Sequence, residues 1–154
     1  MKILRIALPL LLTGLILCLT SCDKVPANGR LDGTWQLVSI ERSDTIIDAK
    51  PSQKYISFQL GLIQLRQASL EYEDYTRYYG HFSKNGDEMR FYDLCLPSDN
   101  TTSSDDDRPF TEANISMLNG WGIYHTDNTF HIDTLNSRRM VLSNSETTLR
   151  FRKY

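Results

Sequence analysis

The chain has 154 residues, of which 40% are hydrophobic and 23% are charged, and its formal net charge is −2. This length fits one domain with a single core. If residues 1–21 are removed on export, Lys2 and Arg5 leave with them and the net charge becomes about −4. An acidic chain of this kind is not expected to bind nucleic acid, which requires a basic surface.

The first 21 residues have the pattern of an export signal. Lys2 and Arg5 give a positive start, and residues 6–19 are almost continuously apolar. A helix that crosses a bilayer needs about 20 apolar residues, and this stretch is shorter. We therefore expect residues 1–21 to be a signal peptide rather than a membrane span.

Leu19-Thr20-Ser21-Cys22, at the end of the signal, resembles a lipobox. The resemblance implies cleavage before Cys22 and acylation of that cysteine, and more than one acyl chain makes anchoring stable. The alternative is an ordinary secretory signal with Cys22 as a free thiol. Asp23 follows this cysteine. An aspartate at that position retains lipoproteins in the inner membrane of enteric bacteria, but the rule does not hold in every Gram-negative group. We expect a lipid-anchored protein of the cell envelope, in the outer membrane and facing the periplasm.

Cysteine usage leaves the folded domain without a disulfide. Cys18 lies in the signal and Cys22 is the lipidation site, so Cys95 is the remaining thiol. The domain must be held together by packing, and we expect Cys95 to be a small buried hydrophobic residue.

Residues 22–30 read as a lipidated tether, and residues 31–154 read as one all-β domain. Short β-type runs alternate with Gly, Asn, Asp, Ser and Pro, which is typical of an antiparallel sandwich or barrel. The predicted strands cover residues 34–41, 54–67 with a bulge at Gly61, 75–83, 88–95, 130–135, 139–142 and 148–154. The expected architecture is a small antiparallel meander barrel of about eight strands with at most one short helix.

Three connections have clear signals. Asn85-Gly86 lies between two strand-like runs and predicts a tight hairpin. Residues 98–107 are polar and acidic, without an apolar side chain to bury, and predict a mobile loop. Residues 111–119 predict one short helix that buries Ile115 and Leu118 and stops at Gly120.

Gly33-Thr34-Trp35, at the start of the first predicted strand, resembles the Gly-x-Trp motif that opens lipocalin barrels. Residues 140–143 and 148–154 resemble the last hairpin of lipocalin-like lipoproteins of Gram-negative bacteria. The resemblance covers residues 31–154 and implies that Arg150 or Arg152 packs over Trp35 and closes the barrel floor. The alternative is that Trp35 is a core anchor and both arginines are solvated. The resemblance implies no particular activity.

The pattern leaves two main functional hypotheses. In the first, the barrel binds a small hydrophobic or amphipathic molecule, or a short glycan, in its cup. In the second, the barrel is filled by its own side chains and the protein works as an envelope interaction module, because a barrel of about eight strands is just wide enough to be filled. The predicted inward residues are bulky and favour the second hypothesis: Ile56, Phe58, Leu60, Phe130, Ile132, Leu149 and Phe151.

A tyrosine cluster is the candidate binding surface. Tyr72, Tyr75, Tyr78 and Tyr79 follow one another closely, and exposed tyrosines stack well on sugars and peptides. They are equally suited to the interior of a sheet. If this strand faces inward, the sequence predicts a polar-lined pocket.

No catalytic, metal or cofactor site is predicted. His125 with Asp127, and His131 with Asp133, each place imidazole and carboxylate on one strand face, but catalysis or metal binding would need a third group. The adjacent carboxylates at residues 105–107 lack the spacing and the glycine of an EF-hand loop. We expect a protein that is not an enzyme.

Two short patterns suggest a modification. Asp44-Thr45-Ile46 and Asp133-Thr134-Leu135 resemble O-glycosylation sites of some gut-type Gram-negative bacteria. Glycosylation at Thr45 or Thr134 is a side hypothesis, tested by the mass of the exported protein.

Overall fold

The computed structural model describes residues 27–68, 76–96 and 108–154. Several expectations fall outside these ranges: the signal at residues 1–21, lipidation at Cys22, the side chains of Tyr72 and Tyr75, and the acidic segment at residues 98–107.

The described residues form ten strands, and eight of them close into an antiparallel barrel. The strands are β1 (Gly33–Arg42), β2 (Thr45–Asp48), β3 (Lys54–Gln59), β4 (Leu62–Gln67), β5 (Thr76–Asn85), β6 (Glu88–Leu96), β7 (Arg108–Pro109), β8 (Asn128–Leu135), β9 (Arg139–Ser143) and β10 (Thr147–Lys153). The barrel order is β1-β3-β4-β5-β6-β8-β9-β10, and β10 closes it by pairing with β1. Strands β2 and β7 lie outside this ring on β1 and β6. The predicted eight-stranded meander barrel is confirmed.

The barrel has two ends, which we call the base and the top. The base is the end at which β1 begins and β10 ends, since Trp35 pairs with Lys153. The 3-10 helix Gly29–Leu31 precedes β1 at the base, whereas β1 ends at the top. Two further 3-10 helices follow in the described residues: Lys50–Ser52 after β2, and Ile115–Trp121 between β7 and β8. The expectation of at most one short helix holds for Ile115–Trp121, since the other two are three-residue turns.

Strand alternation produces the core, as the sequence predicted. On β8 the even-numbered residues Phe130 and Ile132 are buried, and on β10 the odd-numbered Leu149 and Phe151 are buried. On β1, a bulge between Leu37 and Ser39 shifts the pattern, so that Ile40 faces inward with Trp35 and Leu37 instead of outward. Among the described residues, the core runs from Leu31 to Phe151, so a chain that begins after Cys22 keeps all of these core residues.

The prediction of one bent strand over residues 54–67 is wrong. Leu60 and Gly61 have φ values of 51° and 80° and form a two-residue turn between β3 and β4. Paired positive φ values match the type of turn that joins twisted antiparallel strands. Leu60 is therefore 72% exposed at the turn rather than an inward residue.

The predicted helix over residues 111–119 is displaced along the chain. The observed 3-10 helix is Ile115–Trp121, and it buries Ile115 and Leu118 as expected. It ends at Gly122 in the left-handed conformation (φ 75°), not at Gly120. In the described segments, no helix has the length and apolar character needed to cross a bilayer.

Candidate functional site

The base of the barrel is organised by the Gly-x-Trp motif. Trp35 is fully buried, and its indole Nε1 donates a hydrogen bond of 2.8 Å to the carbonyl oxygen of Leu31. Gly33 has φ 105°, a conformation open mainly to glycine, and a Cβ there would lie 3.2 Å from the Lys153 Nζ. The motif thus fixes the 3-10 helix Gly29–Leu31 across the base.

The cation over Trp35 is Lys153, not Arg150 or Arg152. The Nζ of Lys153 lies 4.4 Å from the centroid of the Trp35 ring, within the range of a cation–π contact. It also donates hydrogen bonds to the carbonyl oxygens of Asp32 and, at 3.3 Å, Arg30. Burial lowers the pKa of Lys153, and the nearby Asp32 acts in the opposite direction.

Arg150 and Arg152 point out of the barrel instead. Arg150 Nη2 lies 3.1 Å from Glu41 Oε2, and Arg152 Nε donates a 2.7 Å hydrogen bond to Gln36 Oε1. Strand alternation is the reason, because residues 150 and 152 have the opposite parity from the inward Leu149 and Phe151.

The top of the barrel is covered by aromatic side chains. Tyr78 is buried and packs edge-on against Phe110 and Trp121, with ring centroids 5.3 and 5.4 Å apart. Lys54 Nζ lies 4.9 Å from the Trp121 ring, and burial lowers the pKa of Lys54. Burial also raises the pKa of Tyr78. Tyr78 is therefore a packing residue and presents no stacking surface.

The interior is filled by its own side chains. Each barrel strand contributes inward residues that are almost or fully inaccessible, including Trp35, Phe58, Ile63, Phe82, Phe91, Phe130, Met140 and Leu149. A side chain with no accessible surface has no room beside it for even a water-sized sphere. A drug-sized ligand needs about 300 Å³ or more, which these residues do not leave among themselves.

Tyr79 lies on the opposite face of β5 from Tyr78. It is half-buried and lines a surface depression of about 220 Å³ with the β3 and β4 residues Ser57, Gln59, Leu62, Ile63 and Gln64. Of the four predicted binding tyrosines, two lie outside the described residues and the other two point to opposite sides of the sheet.

The outer face of β9, β10 and β1 carries what we call the basic groove. Its volume is about 420 Å³, and it is lined by Val38, Lys50, Arg139, Val141, Arg150, Phe151 and Arg152. Four cations thus surround a partly apolar floor. Two carboxylates lie near it: Glu41, which pairs with Arg150, and Asp48, whose Oδ1 accepts the backbone N–H of Lys50.

Two arginines of the groove are direct cross-strand neighbours. Arg139 on β9 is in register with Arg152 on β10, and both side chains are exposed. Like charges at directly opposite positions destabilise a sheet. Within the described residues, no carboxylate lies within 4.0 Å of Arg139, Arg152 or Lys50, so no described carboxylate pairs with their charge.

A larger depression lies on the outer face of β1, β3 and β4. It measures about 630 Å³ and is lined by Asp32, Gly33, Thr34, Ser57, Phe58, Gln59 and Gln64. It is open to solvent and contains a single charged side chain, Asp32. The basic groove is the better candidate for binding an anion than this depression. Three guanidinium groups line it, and guanidinium groups offer paired hydrogen-bond donors to an oxyanion.

The histidines do not form a catalytic or metal cluster. His125 Nε2 lies 3.0 Å from Glu146 Oε1, whereas Asp127 pairs with Arg90. His131 Nε2 lies 3.9 Å from Asp133 Oδ1 at the surface. Among the residues that the structure describes, no group of three His, Cys, Asp or Glu side chains is placed to hold a metal ion.

The remaining sequence candidates lie at or near the surface. Cys95 is half-buried rather than a core residue, and its thiol donates to the carbonyl oxygen of Tyr79 at 3.5 Å. Thr45 is exposed on the outer strand β2, and Thr134 is half-buried on β8.

The sequence does not reveal the basic groove. The family resemblance assigns Arg150 or Arg152 to the barrel floor, and no motif singles out Arg139 or Lys50. One signal for the groove is present in the sequence. Arg150 and Arg152 alternate with the inward Leu149 and Phe151, which places both arginines on the outer face of β10. The register that places Arg139 beside Arg152 depends on the turn between β9 and β10, which sequence alone does not fix.

Comparison with known proteins identifies relatives of the fold. Residues 17–154 match a family model described as a lipocalin-like domain. A lipocalin-like protein from Bacteroides uniformis is 22% identical, with a TM-score of 0.57 over 82% of this chain and 100% of that one. An uncharacterized protein from Bacteroides eggerthii is also 22% identical, with a TM-score of 0.58 over 80% and 99% of the two chains. Curated protein sequences give no match. At this identity the two structures support the fold alone.

Proposed function

Because this chain belongs to the family of lipocalin-like domains, we propose that it is a lipid-anchored cell-envelope protein whose filled barrel is a rigid scaffold for binding at its outer surface. The observation that carries this proposal is the buried state of the inward side chains on all eight barrel strands. Because the described inward side chains pack against one another and leave little accessible surface, we place binding outside the barrel.

The anchor is the lipobox cysteine, Cys22. Six residues, 23–28, separate Cys22 from the first 3-10 helix, so the barrel base stays within about 25 Å of the membrane. We place the protein in the outer membrane, facing the periplasm. Its partners there are the membrane and an envelope protein or glycan bound from outside; neither nucleic acid nor a cofactor is involved, and the protein catalyses no reaction.

Lipidation is tested by the mass of the protein from a Gram-negative host. The expected form begins at Cys22 and carries acyl chains, and Cys22→Ser moves the protein from the membrane fraction to the soluble fraction. A mature protein with a free Cys22 thiol, released without the substitution, would contradict the anchor. The same mass shows whether Thr45 or Thr134 is glycosylated.

The filled barrel is tested with a neutral fluorescent apolar probe, N-phenyl-1-naphthylamine. We expect residues 23–154 to give no saturable binding. Benzene is a second, smaller probe, and Phe130→Ala is its positive control, because removing a fully buried ring that packs 5.3 Å from Phe91 opens a cavity of about one ring. Saturable binding of N-phenyl-1-naphthylamine by the unmodified domain would favour the alternative of a ligand in the cup.

A further inference from the structure

We propose that the basic groove docks the barrel onto anionic phospholipid headgroups of the membrane that carries the Cys22 lipid. This inference rests on the proposed function, which supplies the anchor, and it names the first partner of the outer surface. The observation that carries it is the cluster of cations in the basic groove, which includes the cross-strand pair of Arg139 and Arg152.

The first step is the local sign of charge. The whole chain is acidic, yet the groove brings together Lys50, Arg139, Arg150 and Arg152 against two carboxylates, Glu41 and Asp48. A concave surface with an excess of one sign concentrates the opposite charge. The complementary partner is therefore an anion.

The second step is the register of Arg139 and Arg152. The two guanidinium groups repel each other across β9 and β10. Within the described residues, the one side-chain partner of either is the neutral amide of Gln36. A phosphate placed between them would accept paired hydrogen bonds from both forks and remove the repulsion. The site has the chemistry of a phosphate monoanion or diester.

The third step is position relative to the anchor. Arg139 begins β9 and Arg152 lies one residue before the end of β10, so both lie at the base, where the tether enters. The exposed residues at this end also include the cations Arg30, Lys84 and Arg138 and the anions Asp87, Glu88 and Asp133. A lipid anchor that holds the base near the bilayer brings these cations to the headgroups, and each Lys or Arg near an anionic surface adds to membrane affinity.

The fourth step is the floor of the groove. Val38 and Val141 are half-buried between the cations. An apolar floor beneath guanidinium groups suits the glycerol and upper acyl region of a phospholipid below its phosphate better than it suits a fully hydrated inorganic anion.

The test uses residues 23–154, which contain every core residue of the described segments and lack the lipid, so that any binding comes from the folded surface. Cosedimentation is measured with vesicles of phosphatidylcholine and with an equimolar mixture of phosphatidylcholine and phosphatidylglycerol. We expect at least about tenfold tighter binding to the anionic vesicles, weakening as salt is raised.

Two charge-matched variants locate the contact. Arg139→Gln with Arg152→Gln should weaken binding to anionic vesicles by about tenfold. Arg66→Gln with Arg77→Gln removes the same charge from another cross-strand arginine pair, at the top of β4 and β5 and across the barrel from the groove, and should change binding by less than about twofold. Thermal unfolding checks that both variants are folded.

Three results would overturn the inference. The first is equal binding to neutral and anionic vesicles. The second is an equal loss of binding in the two double variants. The third is binding of soluble glycerol phosphate at the groove without any binding to vesicles. None of these results bears on the mass of the exported protein or on the binding of the apolar probe. The proposed function is therefore tested independently of this inference.

Discussion

The indole Nε1 of Trp35 and the carbonyl oxygen of Leu31 are joined by a buried hydrogen bond of 2.8 Å. The other buried tryptophan, Trp121, lies at the top, and its Nε1 has no hydrogen-bond partner among the described residues. A tryptophan thus lies at each end of the barrel, and the indole N–H is hydrogen-bonded at the base but not at the top.

This difference predicts unequal costs for the same substitution. Trp35→Phe leaves the Leu31 carbonyl without its buried donor and should reduce the free energy of unfolding by about 2–3 kcal/mol. Trp121→Phe removes an N–H that is already unpaired and should cost about 1 kcal/mol or less, mostly through lost volume. Chemical denaturation of both variants measures the difference, and equal costs would argue against the hydrogen bond as the anchor of the base.

Gly122 tests how the 3-10 helix Ile115–Trp121 seats on the barrel. Its φ is 75°, and a Cβ there would collide with Leu149 Cδ2 and approach Ile40. We expect Gly122→Ala to lower the free energy of unfolding by about 2 kcal/mol or more. Gly29→Ala is the control, since φ is also positive but no atom lies within 4 Å; it should cost about 1 kcal/mol. Similar losses would mean that the helix does not pack into the top.

The pair Arg139 and Arg152 predicts a substitution that stabilises. Arg139→Gln removes a cross-strand like-charge repulsion and should raise the free energy of unfolding by about 0.5 kcal/mol at low ionic strength. The gain should shrink as salt screens the two charges. Arg150→Gln, which loses the exposed pair with Glu41, should instead be neutral or slightly destabilising. A loss of stability in Arg139→Gln would show that Arg139 has a favourable partner.

Asp127 predicts a pH dependence with a defined sign. Hydrogen bonds from Arg90 Nε, 2.8 and 3.0 Å to its two oxygens, are the main reason that the pKa of Asp127 lies below its usual 3.8. A carboxyl with a depressed folded pKa stabilises above the unfolded pKa, and this stabilisation is lost as pH falls through the folded pKa. The unfolding temperature of the wild type should therefore fall more steeply below about pH 4 than that of Asp127→Asn.

The control for this titration is Asp44→Asn, in the turn between β1 and β2. Asp44 is exposed, and no described charged side chain pairs with it. It should keep the acid profile of the wild type. If Asp127→Asn has that profile as well, the Arg90 pair contributes no measurable stability.

Much of the fold follows from local patterns. The Asn85-Gly86 hairpin, the burial of Trp35 and the inward residues of β8 and β10 each depend on a turn residue or on strand alternation. Leu60 was misassigned because it continues the alternation of Ile56 and Phe58, whereas its positive φ belongs to a turn. A hydrophobic residue at a turn gives no sequence signal of its exposure.

The site was less accessible to sequence reasoning. The inward assignment of Leu149 and Phe151 already implied that Arg150 and Arg152 face outward, and that Lys153 shares the parity of the core. The family resemblance led instead to the arginines. The register of β9 and β10 places Arg139 beside Arg152. Lys50 lines the same groove because the chain turns at the top after β1 and returns along it as β2. No local sequence pattern determines either arrangement.

The most direct test of the filled barrel is the interior volume in an experimental structure of residues 23–154, purified from its host envelope without refolding. We expect the space between Trp35 at the base and Trp121 at the top to hold only protein side chains, with any bound molecule outside the barrel. An open cavity of roughly 300 Å³ or more among the inward residues, with a ligand in it, would contradict the account and return the function to the interior of the barrel.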